Sequence, residues 1–117
     1  MNGSIALTVM LTAILGALGF AKILAVAPMR ARAAHVGFSV AAYRRIGVLE
    51  VAGAIGLAVG LAQPLLGLLA GTGLLLLLAV AVVTHVRNGD GLREVAPAVV
   101  CALLVAGYLA ALTGATP

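Results

Sequence analysis

The sequence predicts an all-α integral membrane protein, a four-transmembrane-helix bundle with up-down-up-down topology. Three observations predict this fold class. First, 64% of the 117 residues are hydrophobic and only 9% are charged, giving a mean hydropathy of +1.27 that no soluble domain of this size can bury. Second, four apolar segments approach the ~20 residues needed to cross a bilayer. Third, the very short link at residues 62–64 makes the second and third segments pack side by side in opposite directions.

The four spans cover about residues 4–27, 45–62, 65–86 and 95–113, within a single transmembrane domain of residues 1–117. The first span is expected to be a retained helix, because the N-terminus lacks the basic residues of a signal peptide. It ends at Pro28. The second ends at Gln63 and Pro64, so spans two and three form a tight hairpin. Pro97 falls in the first turn of the fourth span, where its missing N–H costs little.

The first connection, "PMRARAAHVGFSVAAY", is longer than a turn requires. Its arginines and interspersed apolar residues suit a short helix lying at the membrane interface. They equally suit an irregular loop held to anionic lipid by its basic residues. The sequence leaves both interpretations open.

Basic residues predict the orientation of the chain. They cluster around the first and third connections, whereas the N-terminus, the 62–64 turn and the C-terminal tail carry none. By the positive-inside rule the charged connections face the cytoplasm and both termini lie outside. We therefore expect a multi-pass protein of a plasma membrane, such as a bacterial inner membrane. The net charge of +4 is explained by topology and does not indicate nucleic-acid binding.

Small residues inside the spans indicate close helix packing. Gly56 and Gly60 form a GxxxG pattern, which lets two backbones approach in a membrane. At 100° per residue, Glu50, Gly53, Gly56 and Gly60 fall within an arc of about 120° on the second span. That face should point into the bundle. Cys101 is alone, which excludes an intramolecular disulfide and a CxxC pair, and we interpret it as a packing residue.

Three charged or titratable residues from separate spans should lie at similar depth on the cytoplasmic side: Lys22, Glu50 and His85. A carboxylate inside a membrane is expensive and by default marks a functional site. Burial raises the pKa of a carboxylate and a neighbouring cation lowers it, so this trio is suited to proton transfer. The simpler alternatives are a Lys22 that reaches the headgroups, an interfacial His85, and a structural ion pair between Glu50 and Lys22 or Arg45.

Four further residues are predicted to bind a ligand beside that trio: Tyr43, Thr84, Arg87 and Asp90. The composition of "RNGDGLRE" also explains Asp90 and Glu94 as turn residues. No metal site is predicted, because His35 falls in a connection and the remaining ligands lie on different segments.

With these residues laid out, the chain resembles the DoxX-like family of small four-helix membrane proteins over nearly its whole length. The resemblance rests on "GFAKIL", "GFS", "IGVLEVAGAIGLAVGL" and "AVVTHVRNGD". It implies that the family's recurrent polar positions are Lys22, Glu50, His85, Arg87 and Asp90. It also implies a quinone as a candidate cofactor, since some relatives are subunits of thiosulfate:quinone oxidoreductases.

The leading hypothesis is that the cytoplasmic-side pocket binds a small lipophilic molecule, such as a quinone or an isoprenoid-like compound, with a link to redox chemistry. One alternative is a membrane-embedded acid–base enzyme, an isomerase, cyclase or epoxide-opening hydrolase that uses Glu50 and His85. The other is a structural or assembly subunit in which the polar residues only lock the bundle. Expected partners are the lipid bilayer, the lipophilic ligand, and either further copies of the chain or a redox complex.

Overall fold

The computed structural model describes residues 2–114, with side chains from residue 5 onward. Over this part of the chain every regular element is a helix, which confirms the all-α prediction. The described residues form five helices: α1 Asn2–Leu24, α2 Ala27–His35, α3 Val40–Val59, α4 Pro64–Arg87 and α5 Leu92–Leu112.

Three of the described helices are long and apolar enough to cross a membrane, namely Ile5–Leu24 in α1, Pro64–Arg87 and Leu92–Leu112. The chain is therefore an integral membrane protein. α3 has 20 residues but includes Arg44, Arg45 and Glu50, so its composition is less apolar than that of the other three.

The first connection contains a helix, α2. Of the two interpretations that the sequence left open, a helix or an irregular loop, the structure shows the helix. Pro28 does not end the first long helix. α1 stops at Leu24, and Pro28 lies instead in the first turn of α2, where its fixed φ angle suits a helix start.

The start of the last helix differs from the prediction. α5 begins at Leu92, so Pro97 lies inside the helix and not in its first turn. Proline has no N–H to donate to the carbonyl four residues earlier, which here belongs to Arg93. Sequence patterning placed the boundary too late because "GLRE" reads as part of a turn.

The four long helices form a closed ring in which α1 packs on α3, α3 on α4, α4 on α5, and α5 on α1, while α2 lies against α1 and α3. Glycine contacts give the direction of neighbours. A side chain added at Gly16 would touch Ala54, and one at Gly19 would meet Gly47. The partner numbers fall as those of α1 rise, so α1 and α3 run antiparallel.

Apolar side chains fill the interior of this ring and also cover much of its outside. The core consists of Leu11, Leu15, Ala54, Leu57, Leu74, Val105 and Tyr108. Large aliphatic side chains on the outer faces are exposed, for example Leu69, Leu76 and Leu103 at 61%, 65% and 67%. Such a surface is stable against lipid chains and not against water.

The two ends of the bundle differ in character. We call one the polar end, where α1 and α4 stop and α3 and α5 begin, because it carries Lys22, Glu50, His85 and Asp90. We call the other the tyrosine end, where α3 stops and α4 begins, because Tyr108 is buried there.

Candidate functional site at the polar end

A buried ion pair joins α1 to α3 at the polar end. The Lys22 Nζ donates to the Glu50 Oε1. The Glu50 residue is only 4% exposed, and the Lys22 side chain is 14% exposed. Each charge therefore compensates the other at a depth where either one alone would be costly.

Glycines one turn before each partner bring these two helices close enough for the pair to form. A Cβ at Gly47 would lie 2.5 Å from the Gly19 carbonyl oxygen and 2.8 Å from the Lys22 Cβ. A Cβ at Gly19 would lie 2.7 Å from the Gly47 carbonyl oxygen and 2.9 Å from the Glu50 Cβ. Only glycine fits at both positions, because real Cβ atoms do not approach other atoms so closely.

The predicted glycine face of α3 is thus divided between two neighbours. Glu50 faces α1, while side chains added at Gly53 and Gly56 would run into Leu74 and Ala70 of α4. Gly47, which the sequence argument did not use, is the glycine that accompanies Glu50.

Aromatic side chains border the ion pair. The Lys22 Nζ lies 5.0 Å from the centroid of the Tyr43 ring, within the range of a cation–π interaction. Phe38 meets Tyr43 edge to face, with ring centroids 6.4 Å apart. The ammonium group is therefore held from two sides, by a carboxylate and by an aromatic face.

A second cluster ties the end of α4 to the end of α2 through Asp90. The Asp90 Oδ2 lies 2.6 Å from the His85 Nδ1, and the Asp90 Oδ1 lies 2.7 Å from the His35 Nε2. The Asn88 amide donates to the Asp90 Oδ1 at 3.1 Å and to the His35 carbonyl at 3.2 Å. One carboxylate thus joins two histidines from separate elements.

Local backbone geometry explains why His85 and Asp90 meet. Gly89 follows α4 with a φ of 76°, a left-handed conformation that favours glycine. The Asp90 N–H then donates to the His85 carbonyl at 3.0 Å and the Gly89 N–H to the Val86 carbonyl at 3.1 Å, the two hydrogen bonds of a Schellman cap. This cap turns the Asp90 side chain back toward His85.

Hydrogen bonding lowers the pKa of Asp90 below its ordinary value. The contact to His85 has the largest effect, and those to His35 and Asn88 act in the same direction. All three stabilise the ionised carboxylate, so Asp90 remains a hydrogen-bond acceptor under ordinary conditions.

Two cavities open between the helices at this end. The smaller, of about 90 Å³, lies against α3 and α4. The larger, of about 590 Å³, is lined by residues of all five helices, with most of them from α1, α2, α4 and α5. Both are lined by Lys22, Tyr43, Glu50 and His85. The larger is within the size range of small-molecule sites.

Comparison with known proteins identifies the family. The sequence profile described as the DoxX-like family matches residues 6–107. The chain belongs to the DoxX-like family. This match confirms the resemblance inferred from the residues. Searches of the curated proteins and of the solved structures gave no match.

This DoxX-like chain brings together most of the predicted site residues. Lys22, Tyr43, Glu50 and His85 line common space. Thr84 lines the smaller cavity, but its hydroxyl donates to the Val80 carbonyl at 2.8 Å in its own helix.

Two of the predicted residues are placed differently. Arg87 is exposed on the last turn of α4 and lines neither cavity. Asp90 also lines neither cavity. It contacts His85, which lines both, so Asp90 acts on the cavities only through His85.

Sequence reasoning missed His35, which is the last residue of α2 and contacts Asp90 across 55 positions of the chain. It also missed Arg32 and Arg93, which line the larger cavity. No short-range pattern signals these contacts. Within the described residues, no group of three or more histidines, cysteines and carboxylates could hold a metal ion.

Proposed function

We propose that α1, α3, α4 and α5 cross the bilayer as four antiparallel spans, with the polar end at the cytoplasmic face. The three apolar helices support this directly. α3 has a comparable length, its Arg44 and Arg45 lie in the first two turns, and its Glu50 is compensated by Lys22. All seven basic and three acidic residues occur in or beside the polar end, as the positive-inside rule requires.

This topology is tested by single cysteines in a Cys101→Ala background. Arg87→Cys at the polar end should react with a membrane-impermeant maleimide only after the cytoplasmic side is opened. Gln63→Cys, between α3 and α4, should react from outside. Labelling of both from the same side would contradict the four-span arrangement.

We infer that the polar end binds a small lipophilic molecule, for which a quinone or an isoprenoid-like compound is the best candidate. The observation that carries this proposal is the common lining of both cavities by Lys22, Tyr43, Glu50 and His85. The remaining lining is largely apolar, so a ligand would be desolvated while one polar edge meets Glu50 or His85. In this role the two residues hydrogen bond to the ligand or exchange a proton with it, and Lys22 orients the carboxylate.

Binding of a short-chain benzoquinone and of farnesol to the protein in nanodiscs tests the proposal. Glu50→Gln and His85→Ala should each weaken binding about tenfold, the effect of losing one hydrogen bond that involves a charged group. Arg45→Gln, on the exposed side of α3, is the matched control and should bind normally. Unchanged affinity in both site variants would overturn the proposal. Chemical turnover of the ligand that Glu50→Gln abolishes would instead identify an enzyme.

A second candidate function is structural, and the direct contact between Lys22 and Glu50 favours it. A buried pair with both partners satisfied fixes how two helices meet. On this account the pair locks α1 to α3 and the cavities bind nothing in particular.

The paired variant Lys22→Met, Glu50→Leu separates the two candidates. Either single substitution leaves a charge uncompensated and should cost about 3–5 kcal/mol of stability. The double variant should recover most of that loss, measured as the thermal unfolding midpoint. A stable double variant that has lost the ligand affinity of the parent chain supports the binding site. Recovery of stability, with no binding of the probes by either the parent chain or the double variant, supports the structural role.

A further inference from the structure

We propose that the larger cavity binds an amphiphile with an acidic headgroup, a phosphate or a carboxylate, held at Arg32 and Arg93. This inference deepens the proposed function, on which it rests, because it names the class of lipophilic ligand.

Basic side chains from two helices line the side of the larger cavity that lies at the polar end, which we call its mouth. Arg32 and His35 come from α2, and Arg93 comes from the first turn of α5. In the described part of the chain, neither arginine has a carboxylate within 4 Å; the ion pairs there involve Lys22, His35 and His85. Two guanidinium groups are thus available, and guanidinium binds phosphate and carboxylate in a bidentate manner.

The acidic groups nearby are largely engaged elsewhere. Glu50 lines the cavity but is compensated by Lys22, and Asp90 has both oxygens in contact with histidines. Glu94 also lines the mouth. It lies in the first turn of α5, where a negative charge is favoured by the helix dipole.

The charges that line this cavity leave a positive excess. Lys22, Arg32 and Arg93 supply three positive charges and Glu50 and Glu94 two negative ones, so the sum is +1 with His35 and His85 neutral.

Beside the Lys22–Glu50 pair and His85, the rest of the interior of the same cavity is apolar. Leu15 and Leu18 of α1 face Leu78 of α4 across it, with Ala98 and Cys101 of α5 completing the wall. A hydrocarbon tail would contact these side chains while the headgroup stays at the mouth. A neutral lipophile would use only the interior, so the arginines distinguish the two ligand classes.

A pair of probes with the same tail isolates the headgroup. Farnesyl phosphate and farnesol would be titrated into the protein in nanodiscs of pure phosphatidylcholine. We expect farnesyl phosphate to bind at least about tenfold more tightly, since a charge-assisted hydrogen bond of 1.5–3 kcal/mol corresponds to that factor or more. Glu94→Gln should increase the preference because it removes the competing carboxylate.

Matched double variants show whether the mouth is responsible. Arg32→Gln, Arg93→Gln should abolish the preference while farnesol binding is kept. Arg30→Gln, Arg45→Gln removes the same charge from exposed positions that line neither cavity, and should keep the preference. Both doubles change solvent-exposed side chains, so the fold is expected to persist, and an unchanged unfolding midpoint verifies this.

The outcomes separate this proposal from the one on which it rests. Equal affinity for the two probes overturns the acidic-headgroup assignment and leaves the lipophilic site standing. Binding of neither probe overturns both. Loss of preference in both double variants shows a diffuse charge effect and overturns the assignment to the cavity mouth. Where preference is found, displacement by phosphatidylglycerol added to the nanodisc identifies a membrane lipid as the source of the headgroup, and no displacement identifies a free ligand.

Discussion

At both the polar end and the tyrosine end, glycines bring two helices into close contact. The space beside the glycines is filled at the tyrosine end, whereas cavities remain there at the polar end. At the tyrosine end, a Cβ at Gly60 would lie 2.7 Å from the Gly67 Cα, so α3 and α4 meet backbone to backbone. The Tyr108 hydroxyl donates to the Leu57 carbonyl at 3.0 Å. At the polar end, Gly19 and Gly47 draw α1 and α3 together just as closely, yet cavities remain beside them.

The difference follows from what stands next to the glycines. Around Gly60 and Gly67 the adjoining space is filled by the end of the Tyr108 side chain, whose hydroxyl group is hydrogen bonded to Leu57. Around Gly19 and Gly47 it is filled by Lys22 and Glu50, whose charges must stay in contact with each other. Apolar side chains therefore do not fill the bundle completely at the polar end, and cavities lined partly by polar atoms remain. Close approach supplies stability at both ends, and among the described residues the cavities that are lined by the charged pair lie at the polar end.

The largest expected effect comes from breaking the close approach at the polar end. Gly47→Ala places a Cβ against the Gly19 carbonyl, which cannot move without shifting α1, and should lower the free energy of unfolding by about 3 kcal/mol, the upper part of the range for overpacking. It should also separate Lys22 from Glu50. Gly73→Ala is the control, since nothing lies within 4 Å of a Cβ there, and it should unfold no earlier than the parent chain. Equal midpoints for the two variants would contradict the contact.

A smaller loss is expected from the tyrosine end. Tyr108→Phe removes the hydrogen bond to Leu57 and should cost about 1–2 kcal/mol. The Leu57 carbonyl needs this donor because the Leu61 N–H, its usual helical partner, bonds to the Ala58 carbonyl. Ligand affinity at the polar end should not change. Reduced affinity in Tyr108→Phe would show that the two ends are not separate.

A modest gain is expected at the corner between α1 and α2. Ala25 has a φ of 52° and closes a Schellman cap in which the Val26 N–H donates to the Ala21 carbonyl. A left-handed alanine costs roughly 1–2 kcal/mol, so Ala25→Gly should stabilise the protein by about 1 kcal/mol. Ala13→Gly, exposed inside α1, should do the opposite by a similar amount. Destabilisation by both would contradict the strained corner.

The smallest effect concerns Asp90 and pH. Because the folded-state pKa of Asp90 is lowered, its contacts stabilise the fold above the unfolded value of about 3.8. This contribution is lost as the pH falls through the folded pKa. The unfolding midpoint should therefore drop as the pH falls toward and below that unfolded value, and the drop should be smaller in Asp90→Asn. The difference between the two chains isolates Asp90 from Glu50 and Glu94; identical pH profiles would contradict the assigned contacts.

Much of the fold follows from the sequence because membrane helices are specified by apolar length and charge position. The three apolar spans and the grouping of Lys22, Glu50 and His85 at one end were predictable, since depth along a helix is a count of residues. Lys22 and Arg45 were the two partners that the sequence predicted for the Glu50 carboxylate, and the structure shows the contact with Lys22.

Other parts of the site depend on geometry that no local pattern encodes. His35 joins Asp90 only because α2 folds back over the end of the bundle, and α2 itself was one of two open interpretations. The helix start at Leu92 places Arg93 at the cavity mouth. The sequence predicted the start of this helix three residues later, which left Arg93 in a turn and gave no sign of its position. The two neighbours of the glycine face on α3 likewise emerge only when α1 and α4 are both in place.

The glycine contact between α1 and α3 also acts as a register lock. Sliding one helix along the other by a turn, about 5.4 Å, would set a residue with a side chain against a carbonyl that leaves room only for hydrogen. We therefore expect α1 and α3 to move as one rigid wall. Expansion of the cavities around a ligand would then require movement of α2, α4 and α5 relative to α1 and α3. Spin labels should show a constant distance from α1 to α3 and a changing distance from α1 to α5; the reverse pattern would contradict the lock.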